Sequence, residues 1–404
     1  MSDIDDEVPA GPAVMVQLGF AEDPITPLTA DTFPNKLGGK PVRAWMNPEH
    51  VLDAEAVKCG ECEKPMLLLV QVYTPEDHPI ESYHRTVYVF CCKEGVCHKK
   101  SWRSSQLPQH NPYYPPHSTD SESDVDSEAS QTTTPTTATP NPFPSAMRAP
   151  FTPAAFPRPS LCAVCNLRAP KTCSKCHTTH YCSREHQLAH WMQGSHKRVC
   201  RTGDEVSAQT VEEDEQKMRE AGWVFPEKEI VSEPERVDPS RALVPVGDET
   251  YENTKVNVDS AFLKFQKRLE LDPEQILRLF LWSLIRTSLA TCSYARVEYE
   301  LDNGEPLWVS NHGKPESADI PPCPHCGGER TFEFQILSTL LNYLNINHTS
   351  TDSLDWGTLL VYTCKDNCHV PGLYYAEEIL WRQDFSEEGV NFGQTARSDR
   401  VGKY

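Results

Sequence analysis

Eight cysteine and histidine residues are concentrated in one short segment near the middle of the chain. They follow the order C-x2-C-x7-C-x2-C-x5-C-x3-H-x9-H-x3-C and comprise Cys162, Cys165, Cys173, Cys176, Cys182, His186, His196 and Cys200. Thiolates and imidazoles are the ligands that zinc prefers, and two tetrahedral zinc ions need eight of them. So short a segment buries little apolar area, so metal binding would supply its folding free energy. We predict two structural zinc ions here, with no open position for catalysis.

Two further sets of four cysteines lie on either side of this segment. One set is Cys59, Cys62, Cys92 and Cys97, and the other is Cys323, Cys326, Cys364 and Cys368. In each set a C-x2-C pair precedes an apolar run and a second pair follows a later run, as in zinc ribbons. Each set is predicted to hold one zinc ion. The alternative is that a set has lost its metal and survives as buried thiols.

These two sets belong to an internal repeat. A tryptophan, a C-x2-C pair, an apolar run and a second cysteine pair recur in the same order in both copies. Alignment of VYVFCCKE with LLVYTCKD places Cys92 opposite Cys364, and Cys91 opposite Thr363, which cannot ligate through sulfur. Cys92 is therefore the predicted zinc ligand, whereas Cys91 and Cys292 are left over.

The elements that must position these ligands are mostly strands. The apolar runs are short and bounded by turn residues, which predicts β-strands. Helices are predicted after the capping residue Asp259, around Leu340 and Leu344, and in an acidic stretch that ends at Gly222. The expected fold class is mainly β with some α. Two related zinc-ribbon-like β halves form the body, and the eight-ligand segment is inserted between them on disordered linkers.

The chain is strongly acidic. Its 404 residues carry 58 Asp and Glu against 38 Lys and Arg, a net charge of −20, and only 38% are apolar. An acidic surface repels the phosphates of nucleic acids and anionic membranes, so we expect a basic protein partner and neither membrane binding nor direct nucleic-acid binding. The start of the sequence is acidic, and no window is apolar enough for a membrane span, so an intracellular protein is expected.

Composition divides the chain into five segments. Residues 108–159 are rich in Pro, Ser and Thr and are predicted to be a disordered linker, and residues 202–250 an acidic linker with a short helix. These linkers separate an N-terminal β-rich zinc domain (10–107), the zinc finger (160–201) and a C-terminal domain (251–404).

The eight-ligand segment resembles the MYND zinc finger, and the whole chain resembles the programmed cell death protein two family, in its MYND-containing branch. The family resemblance is carried by LGFAED (18–23), FPNKLGGKP (33–41), VYVFCC (87–92), DPEQILR (272–278), PLWVS (306–310), IPPCPHCGGERTFEFQIL (320–337) and DWGTLLVYTC (355–364). The MYND resemblance implies alternating ligand pairs: Cys162, Cys165, Cys182 and His186 on one zinc ion, and Cys173, Cys176, His196 and Cys200 on the other.

The family resemblance implies a β-rich body that carries the finger on flexible arms. It also implies a dedicated chaperone for a small-subunit ribosomal protein, S-two, the relative of bacterial S-five, in 40S ribosome biogenesis. The alternative is an adaptor whose finger binds proline-rich peptides in transcriptional or cell-death signalling. The sequence contains no Walker loop and no GxGxxG, GxSxG or HExxH motif, so we expect no enzymatic activity. The expected compartments are the cytoplasm and the nucleus.

One apolar stretch, LFLWSLIRTSLATCS (279–293), departs from the family pattern. It could extend a helix that begins near Pro273 and bury one apolar face. Alternatively, it is a translated intron or a gene-model error, because its deletion would join ILR directly to YAR.

Overall fold

The computed structural model describes residues 14–29, 32–42, 51–97 (with gaps at 77–78, 80–81, 83–84 and 96), 160–200, 208–235, 259–283, 294–295, 306–347 and 353–386. The strands are β1 (Val14–Glu22), β2 (Lys36–Leu37), β3 (Leu67–Tyr73), β4 (Thr86–Cys91), β5 (Lys171–Thr172), β6 (His180–Tyr181), β7 (Lys228–Pro234), β8 (Leu277–Ser283), β9 (Tyr294–Ala295), β10 (Arg330–Leu337), β11 (Thr358–Cys364) and β12 (Ile379–Gln383). The helices are α1 (Arg184–Met192), α2 (His196–Val199), α3 (Ala208–Glu220) and α4 (Ser260–Leu269), with 3-10 helices at Ala54–Val57 and Ser338–Tyr343. The predicted linker 108–159 lies outside the described residues.

One antiparallel sheet holds ten of these strands, which confirms the prediction of a mainly β fold. Its order is β12-β11-β10-β8-β1-β7-β2-β3-β4, with β9 paired to β8. The first strand of the chain, β1, pairs with β8 of the C-terminal half, whereas β7, which precedes that half, pairs with β2 of the N-terminal half. Since β1 and β7 also pair with each other, the two halves share a continuous sheet.

The hairpins β3–β4 and β10–β11 repeat each other in register. Cys91 pairs with Leu67 in the first hairpin, and Thr363 pairs with Thr331 in the second. Both ladders then shift by one residue at the same place, as at a β-bulge. This pairing confirms the alignment that placed Cys91 opposite Thr363.

The sheet curls, so that both halves contribute to one apolar cluster. Its members from the N-terminal half include Leu37 and Val72, and those from the C-terminal half include Phe334 and Trp356, all at most 1% exposed. Burial of this apolar area is the main source of stability for such a fold.

The residues predicted to be an acidic linker contribute β7 to the centre of the sheet, which corrects that interpretation. Ile230 is buried in the shared core and faces Ala21 of β1. Backbone pairing on both sides of the strand outweighs its acidic composition. The predicted short helix is present as α3, and Gly222, which follows it, adopts the left-handed conformation (φ +70°) usual at helix ends.

The apolar stretch that begins at Leu279 is a strand as far as 283, not the predicted helix. β8 lies between β1 and β10, and its residues Leu277, Arg278 and Leu279 are all buried. A strand that is buried on both faces reads as a continuous apolar run, which periodicity alone cannot distinguish from a helix. Residues 284–293 lie outside the described residues, and the gene-model alternative is untested there.

Two other helix predictions are confirmed. The Asp259 carboxylate accepts hydrogen bonds from the backbone N–H groups of Ala261 (2.9 Å) and Phe262 (3.3 Å) and so caps α4. Leu340 and Leu341 lie in a 3-10 helix and are buried. None of the described helices is long and apolar enough to cross a membrane.

Candidate metal centres

Each of the four C-x2-C pairs is held in the same backbone turn. The N–H group four residues after the first cysteine donates to the carbonyl of that cysteine, at 2.8–2.9 Å. The donors are Glu63, Asn166, His177 and Gly327, and all four have left-handed φ angles between 56° and 74°. This turn directs both thiols of a pair toward one point, which is what a shared metal ion requires.

The structure brings the sixteen predicted ligands together in four groups of four. These groups are Cys59, Cys62, Cys92 and Cys97; Cys162, Cys165, Cys182 and His186; Cys173, Cys176, His196 and Cys200; and Cys323, Cys326, Cys364 and Cys368. Within each group the ligand atoms lie within 4.8 Å of one another. The two groups in the finger are the alternating sets that the MYND resemblance implies.

The group in the N-terminal half has the spacing of a four-thiolate site. The Sγ atoms of Cys62 and Cys92 lie 3.7 Å apart. Thiolates bound to one tetrahedral zinc ion, each at about 2.3 Å, would lie about 3.8 Å apart. Burial raises the pKa of Cys59, but N–H groups of Cys62 and Glu61 outweigh it and bring that pKa down to about 7. The lower pKa favours the thiolate, which is the form that binds metal.

The group in the C-terminal half repeats this geometry. The Sγ atoms of Cys323 and Cys368 lie 3.6 Å apart, as do those of Cys326 and Cys364. The N–H group of Gly328 also lies 3.3 Å from the sulfur of Cys326 and donates to it. Such backbone donors stabilise the negative charge that a four-thiolate site concentrates.

The first group in the finger contains His186 in the first turn of α1. Its Nδ1 atom lies 3.1 Å from the sulfur of Cys182 and 3.5 Å from that of Cys162. Ser183 caps α1 and accepts a hydrogen bond from the backbone N–H of His186, which fixes where this helix begins. Burial lowers the pKa of His186, but the two sulfurs outweigh it and raise that pKa to about 9. Metal binding must therefore displace a proton from this imidazole.

The second group in the finger uses the other ring nitrogen of its histidine. Nε2 of His196 lies 3.8 Å from the sulfur of Cys176, while Nδ1 lies 3.3 Å from the hydroxyl oxygen of Thr179. A polar partner on the second nitrogen orients a ligand histidine. The sulfurs of Cys173 and Cys200 lie 3.9 Å apart and complete the group.

The donor sets of all four groups fit zinc, because each offers four sulfur or nitrogen atoms within 4.8 Å of one another, and zinc takes four such ligands. Four protein ligands fill the tetrahedron and leave no position for water or substrate. Zinc bound at these residues would tie the turns to the strands and helices that carry the remaining ligands. This arrangement is that of a structural centre.

Two cysteines, Cys91 and Cys292, are not members of any of these groups. Cys91 is fully buried in the shared core, and burial raises the pKa of its thiol, so it remains in the unreactive neutral form. Cys292 lies outside the described residues.

The finger packs against the N-terminal half. Val164 and Leu167 of the finger belong to the same apolar cluster as Leu68, Tyr88 and Phe90 of β3 and β4. The N–H group of Arg168 donates to the carbonyl of Leu52 at 3.1 Å, and the amide of Asn166 donates to the carbonyl of Pro41 at 2.8 Å. The contact corrects the expectation of a finger held only by flexible arms, since the apolar cluster of the finger continues into the sheet.

Helix α3 also packs against the finger. His190 is buried between Tyr181, whose hydroxyl oxygen lies 2.9 Å from its Nδ1, and Asp214, whose Oδ2 lies 2.7 Å from its Nε2. Asp214 also accepts a hydrogen bond from the N–H of Ser195, and Lys217 donates to the hydroxyl of Ser195 at 3.0 Å. The helix predicted in the linker is therefore an integral part of the finger unit.

Sequence analysis missed several ion pairs whose basic side chain is buried in the sheet. Three of them join Lys36 to Glu227, Arg85 to Glu333 and Arg278 to Glu235, and another joins Arg330 to Glu378. A signal was present at Arg278, which interrupts the otherwise apolar run ILRLFLW (276–282). The acidic partners lie far along the chain, however. Most of these pairs form only because the sheet brings distant strands together.

Comparison with protein-family models gives three matches. Residues 15–121 match the N-terminal domain of programmed cell death protein 2, residues 259–384 match its C-terminal domain, and residues 162–200 match the MYND finger.

Curated proteins resemble the chain over most of its length. It is 32% identical to programmed cell death protein 2 of Mus musculus over 92% of this chain and 97% of that protein. It is 33% identical to the Bos taurus protein of the same name, over 94% and 98% respectively. A Schizosaccharomyces pombe protein named "Probable 20S rRNA accumulation protein 4" is 28% identical over 30% of this chain and 27% of its own length. No solved structure matches the chain.

Proposed function

Because the chain belongs to the programmed cell death protein 2 family, we propose that it is a dedicated chaperone for a small-subunit ribosomal protein. The client is S-two, and the chaperone binds it in the cytoplasm and nucleus before it joins the 40S subunit. The chain acts by binding and not as an enzyme.

The observation that carries this proposal is the similarity to the fission yeast protein, whose name concerns the accumulation of 20S rRNA. That similarity supports a role in ribosome biogenesis for this chain.

Charge supports a basic client. Residues 158–201 contain eight Lys and Arg and one acid, a formal +7, so the rest of the chain carries about −27 of the total −20. A ribosomal protein carries clusters of Lys and Arg that neutralise phosphate in the ribosome, and before assembly these clusters attract other polyanions. An acidic body attracts such a client at long range and can occupy its basic clusters.

The metal centres support a structural use of zinc. We assign four zinc ions, two in the MYND finger and one in each zinc-ribbon-like half, to the four complete ligand groups. With four protein ligands each, these ions build the binding surface and take no part in chemistry.

Co-expression with ribosomal protein S-two tests the proposal. The soluble yield of the client should rise, and the two proteins should co-purify in a complex that weakens with added salt. Depletion of the chaperone from cells should lower the level of free small subunits. Unchanged solubility of the client together with normal small-subunit levels would refute the proposal.

The runner-up function is an adaptor whose finger binds a proline-rich peptide. It is favoured by Leu188 and Met192, which lie one turn apart on α1 and are 50% and 73% exposed. Deletion of 160–201 would not separate the two functions, because it would also uncover Leu68 and Phe90 of the sheet. Met192→Glu is the better test, since it changes only the exposed face. It should leave S-two binding intact if the first proposal holds and abolish function if the finger is the active part.

A further inference from the structure

The two hairpins of the repeat differ in what covers their outer face. In the N-terminal half, Leu68, Tyr88 and Phe90 share an apolar cluster with the finger. Residues 158–201, which include that finger, have a formal charge of +7 before zinc binding, and the finger contributes Val164 and Leu167 to the contact. The chain thus contains one example of what binds such a face: a basic unit with apolar anchors.

The same positions in the C-terminal hairpin are Phe332, Leu360 and Tyr362, as the shared register shows. They form a separate cluster, to which no residue of the described finger belongs. Partly exposed side chains surround it instead, namely those of Trp308, Ile320, Ile379 and Trp381. We call this the aromatic face. Tryptophan is among the residues most enriched at the energetic centres of protein interfaces.

The described segments that carry the aromatic face are acidic in composition. The described residues 306–347 and 353–386 contain nine acids and four bases. Two of the acids, Glu333 and Glu378, are buried and paired with Arg85 and Arg330. The others include Glu316 and Asp319, which are exposed on the loop that carries Ile320. One base, Lys314, lies over the ring of Trp308, with its Nζ 5.3 Å from the ring centroid. A basic segment would therefore meet the acids of the Ile320 loop and would lie away from Lys314.

We propose that the aromatic face is the docking surface for the client, and that it binds a client segment with apolar side chains flanked by Lys or Arg. The proposal rests on the chaperone function and specifies where that function resides. The client segment would occupy the C-terminal hairpin much as the finger occupies the N-terminal one. Apolar burial would supply the affinity, and the acidic rim would supply orientation and speed of association.

Matched lysine substitutions in the full-length, zinc-loaded protein test the proposal. Ile320→Lys and Ile379→Lys place a charge on the aromatic face, while Ile25→Lys makes the same change at a 96% exposed residue elsewhere. Binding to purified ribosomal protein S-two is measured by titration, and zinc content and thermal unfolding are measured alongside. Each variant on the aromatic face should bind roughly tenfold more weakly or worse, whereas Ile25→Lys should bind like the wild type.

The outcomes distinguish failure of the chaperone function from failure of the docking surface. If the wild type fails to bind S-two, the chaperone function is wrong. If the wild type binds and both variants on the aromatic face bind equally well, the docking surface is wrong.

A second measurement does not depend on the stability of these variants. A photo-reactive residue at Ser317, which is exposed beside the aromatic face, should crosslink to S-two, and one at Ile25 should not. Crosslinks from Ser317 to a second copy of this chain in place of S-two would overturn the proposal and assign the surface to self-association.

Discussion

Arg85 and Glu333 form a buried ion pair across the two halves of the sheet, although 248 residues separate them along the chain. Both terminal nitrogens of Arg85 donate to the carboxylate, which also accepts a hydrogen bond from the hydroxyl of Thr363. Glu333 is the residue skipped by the bulge in the C-terminal hairpin, where the N-terminal hairpin has Leu69. The repeat has thus replaced an apolar core residue by one that binds the other half.

Loss of either partner of this pair should destabilise the protein strongly. We expect Arg85→Met or Glu333→Leu to lower the free energy of unfolding by about 3–5 kcal/mol, because each leaves a buried charge without its partner. The double variant Arg85→Met/Glu333→Leu should recover most of this loss, since Leu is the residue of the other repeat. Urea unfolding of the four proteins gives the coupling energy. Single variants that cost under about 1 kcal/mol would contradict this account.

Cys91, the last residue of β4, and Cys92, which follows it, should respond differently to substitution. Cys92→Ala should remove one zinc ion of four and unfold the N-terminal half, because Cys92 completes a ligand group. Cys91→Ala should retain all the zinc and cost only about 1 kcal/mol, the loss expected for a slightly smaller buried side chain. Metal analysis after treatment with a chelator and re-equilibration measures the zinc content of both variants. The reverse pattern would show that the alignment of the repeat is wrong by one residue.

The left-handed turn at the C-terminal metal centre predicts which residues can replace Gly327. No heavy atom lies within 4 Å of a Cβ atom built on this glycine, so substitution should act through the backbone angle alone. Gly327→Asn should be nearly neutral, because Asn166 already adopts this conformation in the finger. Gly327→Val should cost about 1–2 kcal/mol and speed the release of zinc to a chelator. Equal rates of release from the two variants would argue against a role for φ.

Asp259 should make stability depend on pH. Burial raises its pKa, but hydrogen bonds from Asn311, Ser310 and the first turn of α4 outweigh this effect and hold the pKa below its usual value. The charged form is therefore favoured in the folded state. The resulting stabilisation is present above the unfolded pKa of about 3.9 and is lost as the pH falls through the lower, folded value.

Asp259→Ala should lower the free energy of unfolding at neutral pH by about 1 kcal/mol, and Asp259→Asn by less, because Asn also caps helices. The difference between the wild type and Asp259→Asn should shrink below about pH 4. Both proteins would lose zinc alike in acid, so the difference isolates Asp259. A difference that grows as the pH falls would have the wrong sign.

Much of the site could be predicted because metal ligands are recorded in the spacing of residue types. The C-x2-C pairs and the repeat located all four ligand groups, and Thr363 was enough to select Cys92 over Cys91. The hairpins followed from short apolar runs. These features depend on residues that are close in sequence or aligned by the repeat.

The features that were missed depend on contacts between distant segments. Nothing local marks Lys228–Pro234 as a central strand, because its one fully buried residue, Ile230, is covered by residues from both halves. Leu277, Arg278 and Leu279 are all buried, so both faces of β8 are covered and the run lacks the alternation that would have identified it as a strand. The surface against which the finger packs could not be inferred either, because nothing in the sequence distinguishes Leu68 and Phe90 from other core residues.

At the centre of the sheet, β1 pairs with β7 and β8, and this has a consequence for folding during synthesis from the N-terminus. β1 leaves the ribosome more than 200 residues before its two partners, Lys228–Pro234 and Leu277–Ser283. Until then both edges of β1 lack their hydrogen bonds, and an unpaired strand is prone to aggregate. The N-terminal half therefore cannot finish folding as an autonomous unit on the ribosome. Closure of the sheet is a late step that commits both halves together.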